Sequence, residues 1–121
     1  MTSSTSKMTG DFSAKPTTQA FFDGIAAFTG GLGPVNREAK AQVSFSVNRK
    51  FLWLWAYEKT SDGTLYINVT LDHRVDDPHF HEVSQVSTNQ WNHHVVVKTE
   101  AAARSDWLAD LIRAGYDFAG Q

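Results

Sequence analysis

Histidines are the side chains of this sequence with the widest chemical range, because an imidazole can bind a metal or transfer a proton near neutral pH. Four of the five form two close pairs, His79 with His81 and His93 with His94. On a strand, neighbouring side chains point to opposite faces, so His93 and His94 cannot both reach one ion without a bulge. In a helix, residues two apart also diverge, which separates His79 from His81. We therefore predict no metal site and no cofactor, and keep His93 and His94 as candidate ligand-binding residues.

Motifs of nucleophilic or nucleotide-dependent enzymes are missing from the sequence. It has no Cys and no G-x-S-x-G around a serine. Gly31-Leu32-Gly33 begins like a dinucleotide fingerprint, but Asn36 occupies the third glycine's place and a helical pattern, not a strand, precedes it. We assign no catalytic residue. A His-dependent enzyme, with or without a metal, stays open as an alternative function.

A second candidate site is a face of large aromatic side chains. These residues are Phe51, Trp53, Trp55 and Tyr57, with Tyr66 and Trp91 as further candidates from neighbouring strands. Aromatic rings on a concave sheet can line a small-ligand pocket, so Trp53 and Trp55 are candidate ligand-binding residues. The simpler interpretation, which we favour, is that the C-terminal helix packs on these rings.

Basic residues beside tryptophans could contact nucleic acid. The 11 Lys and Arg against 13 Asp and Glu, a net charge of −2, do not favour this. An accessory nucleic-acid-contacting domain is therefore only a second alternative.

The periodicity of apolar residues predicts the elements that position these side chains. A period of three to four predicts helices after Pro16 and near the C-terminus, the latter capped by Thr99 or Ser105. Asp77-Pro78 predicts a short helix through Phe80. A period of two predicts strands over residues 43–47, 51–57, 64–71 and 91–98.

This order of elements predicts an α+β fold. We expect an antiparallel sheet of about four strands, a meander plus one later strand, packed by an N-terminal and a C-terminal helix. We expect one domain over residues 16–121 and a disordered, Ser/Thr-rich tail over residues 1–15. The sequence has no apolar run long enough to span a membrane and no secretory signal, so we expect a cytoplasmic protein.

Several of these residues together resemble a family of small bacterial domains of unknown function. They are Leu32-Gly33-Pro34-Val35, Lys40, Phe45, Arg49, Phe51, Asp77-Pro78, Phe80, Ser87, His93 or His94, Trp107-Leu108, Ala114 and Tyr116. Members occur alone or at the C-terminal end of longer proteins, some labelled "predicted transport protein". The resemblance implies one compact domain over residues 17–119 and no established reaction. Among the polar positions that it shares with the family are Lys40 and Arg49, which lie near predicted strand ends. These two cations are a third candidate site, which could bind an anion or a partner's carboxylate, or merely pair with acidic residues at the sheet edge.

Without a catalytic motif, the sequence favours a non-catalytic module. We predict that it binds a small anionic ligand or a protein partner, through the strand-end cations or the aromatic face. Nothing in the sequence predicts its oligomeric state.

Overall fold

The computed structural model describes residues 7–121 and has an α+β architecture. Its strands are β1 (Met8–Thr9), β2 (Asn36–Ala39), β3 (Val43–Ser46), β4 (Lys50–Tyr57), β5 (Leu65–Leu71), β6 (Glu82–Ser87) and β7 (Gln90–Val97). Its helices are α1 (Pro16–Gly30), α2 (Glu100–Ala103) and α3 (Asp106–Ala119). In the described part of the chain, no helix is both long enough and apolar enough to cross a bilayer.

All strands belong to one antiparallel sheet with the order β2-β3-β4-β5-β7-β6. Strand β1 lies off this path and pairs with the end of β4, Met8 opposite Tyr57 and Thr9 opposite Ala56. The predicted α+β class and antiparallel sheet are confirmed. The predicted number of about four strands is wrong, because the sheet has seven.

The two sheet faces have different neighbours. Alternate side chains of β4, β5 and β7, including Leu54, Ile67 and Val95, form one hydrophobic core with Leu108 and Ile112 of α3. We call this side of the sheet the helix face. The opposite side, which carries Trp53 and the other residues at odd positions of β4 from 53 to 57, is the open face. No described helix packs against it.

A β-bulge decides the side on which Phe51 lies. Phe45 pairs with Leu52 and the next residue, Ser46, pairs with Lys50, so Phe51 is the extra residue of β4. The bulge places Phe51 on the helix face, where it is fully buried and packs edge-on against Tyr116 of α3 at 5.9 Å. The prediction that Phe51 shares a face with Trp53 is therefore wrong.

The β4–β5 connection also fixes the start of α1. Pro16 leads the helix, and Lys15 before it provides no side-chain cap. The Asp62 carboxylate accepts hydrogen bonds from the backbone N–H groups of Thr17 and Thr18 at 3.0 and 2.9 Å. The bond from Thr18 lowers the pKa of Asp62. Gly63 allows the turn, since its φ of 98° is rarely adopted by other residues.

The C-terminal pattern contains two helices where one was predicted. Thr99 caps α2, with its hydroxyl accepting the N–H of Ala102, and Ser105 precedes α3 as its N-cap. Both predicted cap positions are therefore used. The short α2 joins β7 to α3, which covers the helix face at β4 and β5.

The segment after Asp77-Pro78 differs from the prediction. The predicted short helix is wrong: the chain makes a turn in which Asp77 Oδ1 accepts the N–H of His79, and then forms strand β6. The side-chain bond satisfies the N–H group locally, and the backbone of residues 82–87 pairs with β7 instead.

Part of the predicted tail belongs to the folded structure. Residues 1–6 of that tail lie outside the described residues. Met8–Thr9 pair with β4, and Phe12 is only 2% exposed and packs on Phe22 at 4.8 Å. The core thus includes residues before position 16.

A candidate ligand-binding groove on the open face

The open face holds a groove of about 530 Å³, within the roughly 300–1,000 Å³ typical of small-molecule sites. We call it the open-face groove. It is lined by Met8, Gln42, Trp53, Trp55, Tyr57, Tyr66, Asn68, His81, Glu82, Asn92 and His94. It therefore combines aromatic rings with amide, imidazole and carboxylate groups.

Strand register places a polar row across the middle of this groove. Trp53 pairs with Ser44 on β3 and with Asn68 on β5. Asn68 in turn pairs with His94 on β7, and His94 pairs with Glu82 on β6. Directly paired residues of antiparallel strands have side chains on the same face, about 4.5–5.5 Å apart at Cβ. The row thus joins residues that are far apart in the sequence.

Two buried polar atoms of the groove have no hydrogen-bond partner in the described structure: Trp55 Nε1 and Asn68 Oδ1. Trp55 is 5% exposed and Asn68 is 6% exposed. An indole N–H can only donate, whereas an amide oxygen only accepts. A buried polar group without a partner costs about 1–3 kcal/mol, so this donor and this acceptor both require an explanation.

The neighbouring polar groups are satisfied, which makes these two atoms exceptional. Thr70 donates its hydroxyl to Asn92 Oδ1 at 2.7 Å. On the open face, Thr70 and Asn92 are the next directly paired residues after Asn68 and His94. Thr70 itself is nearly fully buried. The open face is therefore able to pair its polar groups internally, and does so one step away from Asn68.

Most aromatic rings of the groove pack on one another. Trp55 stacks on Tyr66 with ring centroids 6.0 Å apart, and Tyr57 meets Tyr66 edge-on at 4.9 Å. His94 meets Trp55 edge-on at 5.8 Å. Trp53 is half-buried and has no ring partner among the described residues. One indole ring is thus left as a free apolar platform.

The charge of the groove is low. Its lining contains one carboxylate, Glu82, and neither Lys nor Arg. Burial lowers the pKa of His94 below the usual value of 6.5, and Glu82 only partly opposes this. His94 is therefore uncharged at neutral pH.

Three of the six predicted ligand-binding residues meet in this groove: Trp53, Trp55 and His94. The interpretation that the C-terminal helix covers the tryptophans is wrong, because α3 packs on the other side of the sheet. Tyr66 joins them as expected, but Trp91 does not, since it pairs with Leu71 of the core.

His93 lies on the helix face and is fully buried. Its Nε2 accepts the N–H of Val75 at 3.1 Å, and its Nδ1 donates to the carbonyl of Val69 at 3.2 Å. Burial lowers the pKa of His93, which fits the neutral imidazole that these two bonds need. Nε2 thus holds the segment after β5 on the sheet and Nδ1 bonds β5 itself, so neither nitrogen is available to a ligand in the open-face groove.

Lys40 and Arg49 do not form a common site. They lie in the connections at opposite ends of β3. Lys40 is 73% exposed and pairs with Glu38 at 3.6 Å. This agrees with the alternative interpretation, in which Lys40 pairs with an acidic residue at the sheet edge. Arg49 stacks on Phe118 at 4.8 Å and donates to the backbone oxygen of Gln121. Arg49 therefore ties the β3–β4 turn to the end of α3.

Sequence reasoning missed the residues that make the groove polar, chiefly Asn68, Glu82 and Gln42. Asn68 has a weak signal, since it is an amide in the middle of the strongly apolar run from Leu65 to Leu71. Glu82 has none, because β6 contains too few apolar residues to predict a strand.

Two of the three remaining histidines make local pairs, and the third, His81, lines the open-face groove. His73 contacts Asp72 and His79 contacts Asp77, both at 2.7 Å, and His79 also stacks on Trp107. Across residues 7–121, no three His, Asp or Glu side chains converge in an arrangement suited to a metal.

A larger groove of about 900 Å³ lies between α1, α2 and α3. Its walls are mainly apolar and include Phe28, Ala103 and Leu108. None of the unpartnered buried polar atoms found in residues 7–121 belongs to it. The open-face groove is therefore the better candidate for a specific polar ligand.

A family model described as a domain of unknown function, DUF5655, matches residues 8–119. The chain belongs to the DUF5655 family. The match includes β1, which agrees with the pairing of Met8–Thr9 to β4. The expected resemblance to a domain of unknown function is thus confirmed. No curated protein and no solved structure matches the chain. Membership in DUF5655 assigns neither a ligand nor a reaction.

Proposed function

We propose that this DUF5655 chain is a small-ligand binding module whose site is the open-face groove. The observation that carries the proposal is a pair of unpartnered buried atoms, Trp55 Nε1 and Asn68 Oδ1, in two side chains that line the groove. A ligand with a hydrogen-bond acceptor for the indole and a donor for the amide would satisfy both atoms.

The free protein is less stable because it keeps these two buried polar groups unpaired. Each unpaired buried group costs about 1–3 kcal/mol, whereas an apolar side chain of similar volume would cost little. Binding sites commonly hold such destabilising groups because function requires them. A residue with a purely structural role has no reason to leave its amide oxygen unpaired.

The groove supports only part of the predicted function. A bound anion would meet the Glu82 carboxylate and no permanent cation in the lining. The predicted cations, Lys40 and Arg49, are engaged elsewhere. We therefore propose a ligand without a net negative charge.

Replacing Asn68 by Leu tests the proposal without knowledge of the ligand. We expect Asn68→Leu to raise the free energy of unfolding by about 1 kcal/mol, because it removes an unpaired buried amide at nearly constant volume. Urea unfolding followed by circular dichroism measures this change.

Asn92→Leu is the matched control, since it makes the same change in the same groove. Asn92 accepts a bond from Thr70, so its loss should lower the free energy of unfolding by about 1 kcal/mol. If Asn68→Leu destabilises the protein as much as Asn92→Leu does, then Asn68 has a structural role and the proposal fails.

A further inference from the structure

We infer that the ligand of the open-face groove is a neutral saccharide. This inference rests on the proposed function and adds the chemical class of the ligand. It draws on three separate features of the groove: the type of its unpartnered atoms, the number of free aromatic faces, and the distribution of polar groups around them.

The two unpartnered atoms require both an acceptor and a donor from the ligand. A hydroxyl group supplies one O–H donor and two acceptor lone pairs, so it can serve either atom. A sugar ring presents several such groups side by side. The hydroxyls of one ring can therefore supply both an acceptor for Trp55 Nε1 and a donor for Asn68 Oδ1.

The aromatic geometry favours a ligand with one apolar face. Trp55 and Tyr66 stack on each other, and Tyr57 packs against Tyr66, so these rings are already partnered. Of the two tryptophans that line the groove, only Trp53 has no ring partner in the described structure. The C–H face of a sugar can pack on such a single ring.

The polar groups form a row beside this platform. Asn68, His94 and Glu82 line the groove and follow Trp53 across the sheet. Each hydroxyl along one edge of a sugar ring can donate or accept, so neighbouring hydroxyls can pair with the amide, the imidazole and the carboxylate in turn. A nucleobase edge has donors and acceptors at fixed positions.

The charge of the groove excludes the phosphorylated forms of either ligand. Glu82 repels an anion, and the lining has no Lys or Arg to offset it. Burial keeps His94 neutral at neutral pH by lowering its pKa. An uncharged sugar meets no such penalty, and its hydroxyls can donate to the Glu82 carboxylate.

The test is a titration of the full chain followed by calorimetry and tryptophan fluorescence. The probes are glucose, galactose, mannose, N-acetylglucosamine and their disaccharides, with adenosine, uridine and inorganic phosphate as the alternative classes. We expect saturable binding of at least one saccharide. Affinity should fall about tenfold or more in Asn68→Leu and in Trp53→Ala, and stay unchanged in Arg49→Ala, which lies outside the groove.

The alternative results separate the class of ligand from the existence of the site. Binding of a nucleoside or phosphate but no saccharide overturns this inference and keeps a ligand site. Saccharide binding that persists in both Asn68→Leu and Trp53→Ala overturns it as well, because the sugar then binds elsewhere. Binding of no probe also overturns it, while the stability of Asn68→Leu decides the proposed function independently.

Discussion

His93 and His94 are neighbours in the chain but lie in two different environments. On the helix face, both nitrogens of His93 are hydrogen-bonded to backbone groups within a continuous apolar core. On the open face, His94 lies beside Asn68, whose buried amide oxygen is unpaired. The ring nitrogens of His93 are thus paired within the fold, whereas the open face has two buried polar atoms without a partner in the described structure. The contrast separates residues that hold the fold from residues that we propose bind a ligand.

The largest effect should come from truncating a core residue of the helix face. Leu54→Ala removes a fully buried side chain of the core, and we expect a loss of about 2–5 kcal/mol in the free energy of unfolding. Urea unfolding measures it. Val86→Ala on the exposed part of β6 is the control and should change stability by less than about 0.5 kcal/mol. Equal losses in both variants would contradict the assignment of the core to this face.

The two histidines provide a direct comparison of the faces. His93→Leu removes the bond to the carbonyl of Val69 and leaves the N–H of Val75 without its partner, and we expect it to cost about 1–3 kcal/mol. His94→Leu breaks no hydrogen bond of the described structure and should cost less. Thermal unfolding of both variants at neutral pH measures the difference. A larger loss for His94→Leu would mean that the open face, too, is built for stability.

A smaller effect should appear as a dependence of stability on pH. The folded-state pKa values of His93 and His94 are lowered by burial, so between those values and 6.5 the unfolded chain binds more protons. The free energy of unfolding should therefore be highest above pH 6.5 and decrease as the pH falls below it. Urea unfolding at neutral and mildly acidic pH measures this decrease.

Substitution of His93 assigns the pH effect to one face. In His93→Gln, the decrease on acidification should be weaker than in the original chain, because the group that resists protonation is gone. His94→Gln should likewise weaken the decrease by the part that His94 contributes. If neither variant changes the slope, the pH dependence arises from other groups and the histidines do not distinguish the faces.

The sequence predicted those elements whose apolar pattern is regular. Alternation in residues 64–71 and 91–98 gave strands β5 and β7, and the three-to-four spacing from Phe21 to Phe28 gave α1. Within β7, His93, Val95 and Val97 are buried together, as a period of two requires for one face of a strand. Burial of one face requires such a pattern, so these elements can be predicted from the sequence.

Elements without that pattern were missed. Residues 36–39 are all exposed, and residues 82–87 contain only two valines, so neither β2 nor β6 has an apolar face to detect. The site was partly missed for the same reason. Trp53, Trp55 and His94 were found by residue type, but their convergence with Asn68 depends on the pairing of distant strands.

The bulge at Phe51 also affects how the helix layer can change. It places Phe51 and Leu52 side by side under α3, where a methyl group at position 115 would lie 2.8 Å from Val69 Cγ1 and 3.1 Å from Phe51 Cδ2. Only glycine lets the helix approach this closely. Any side chain at position 115 would therefore require smaller side chains at positions 69 and 51, so the absence of a side chain there limits which residues β4 and β5 can carry under α3.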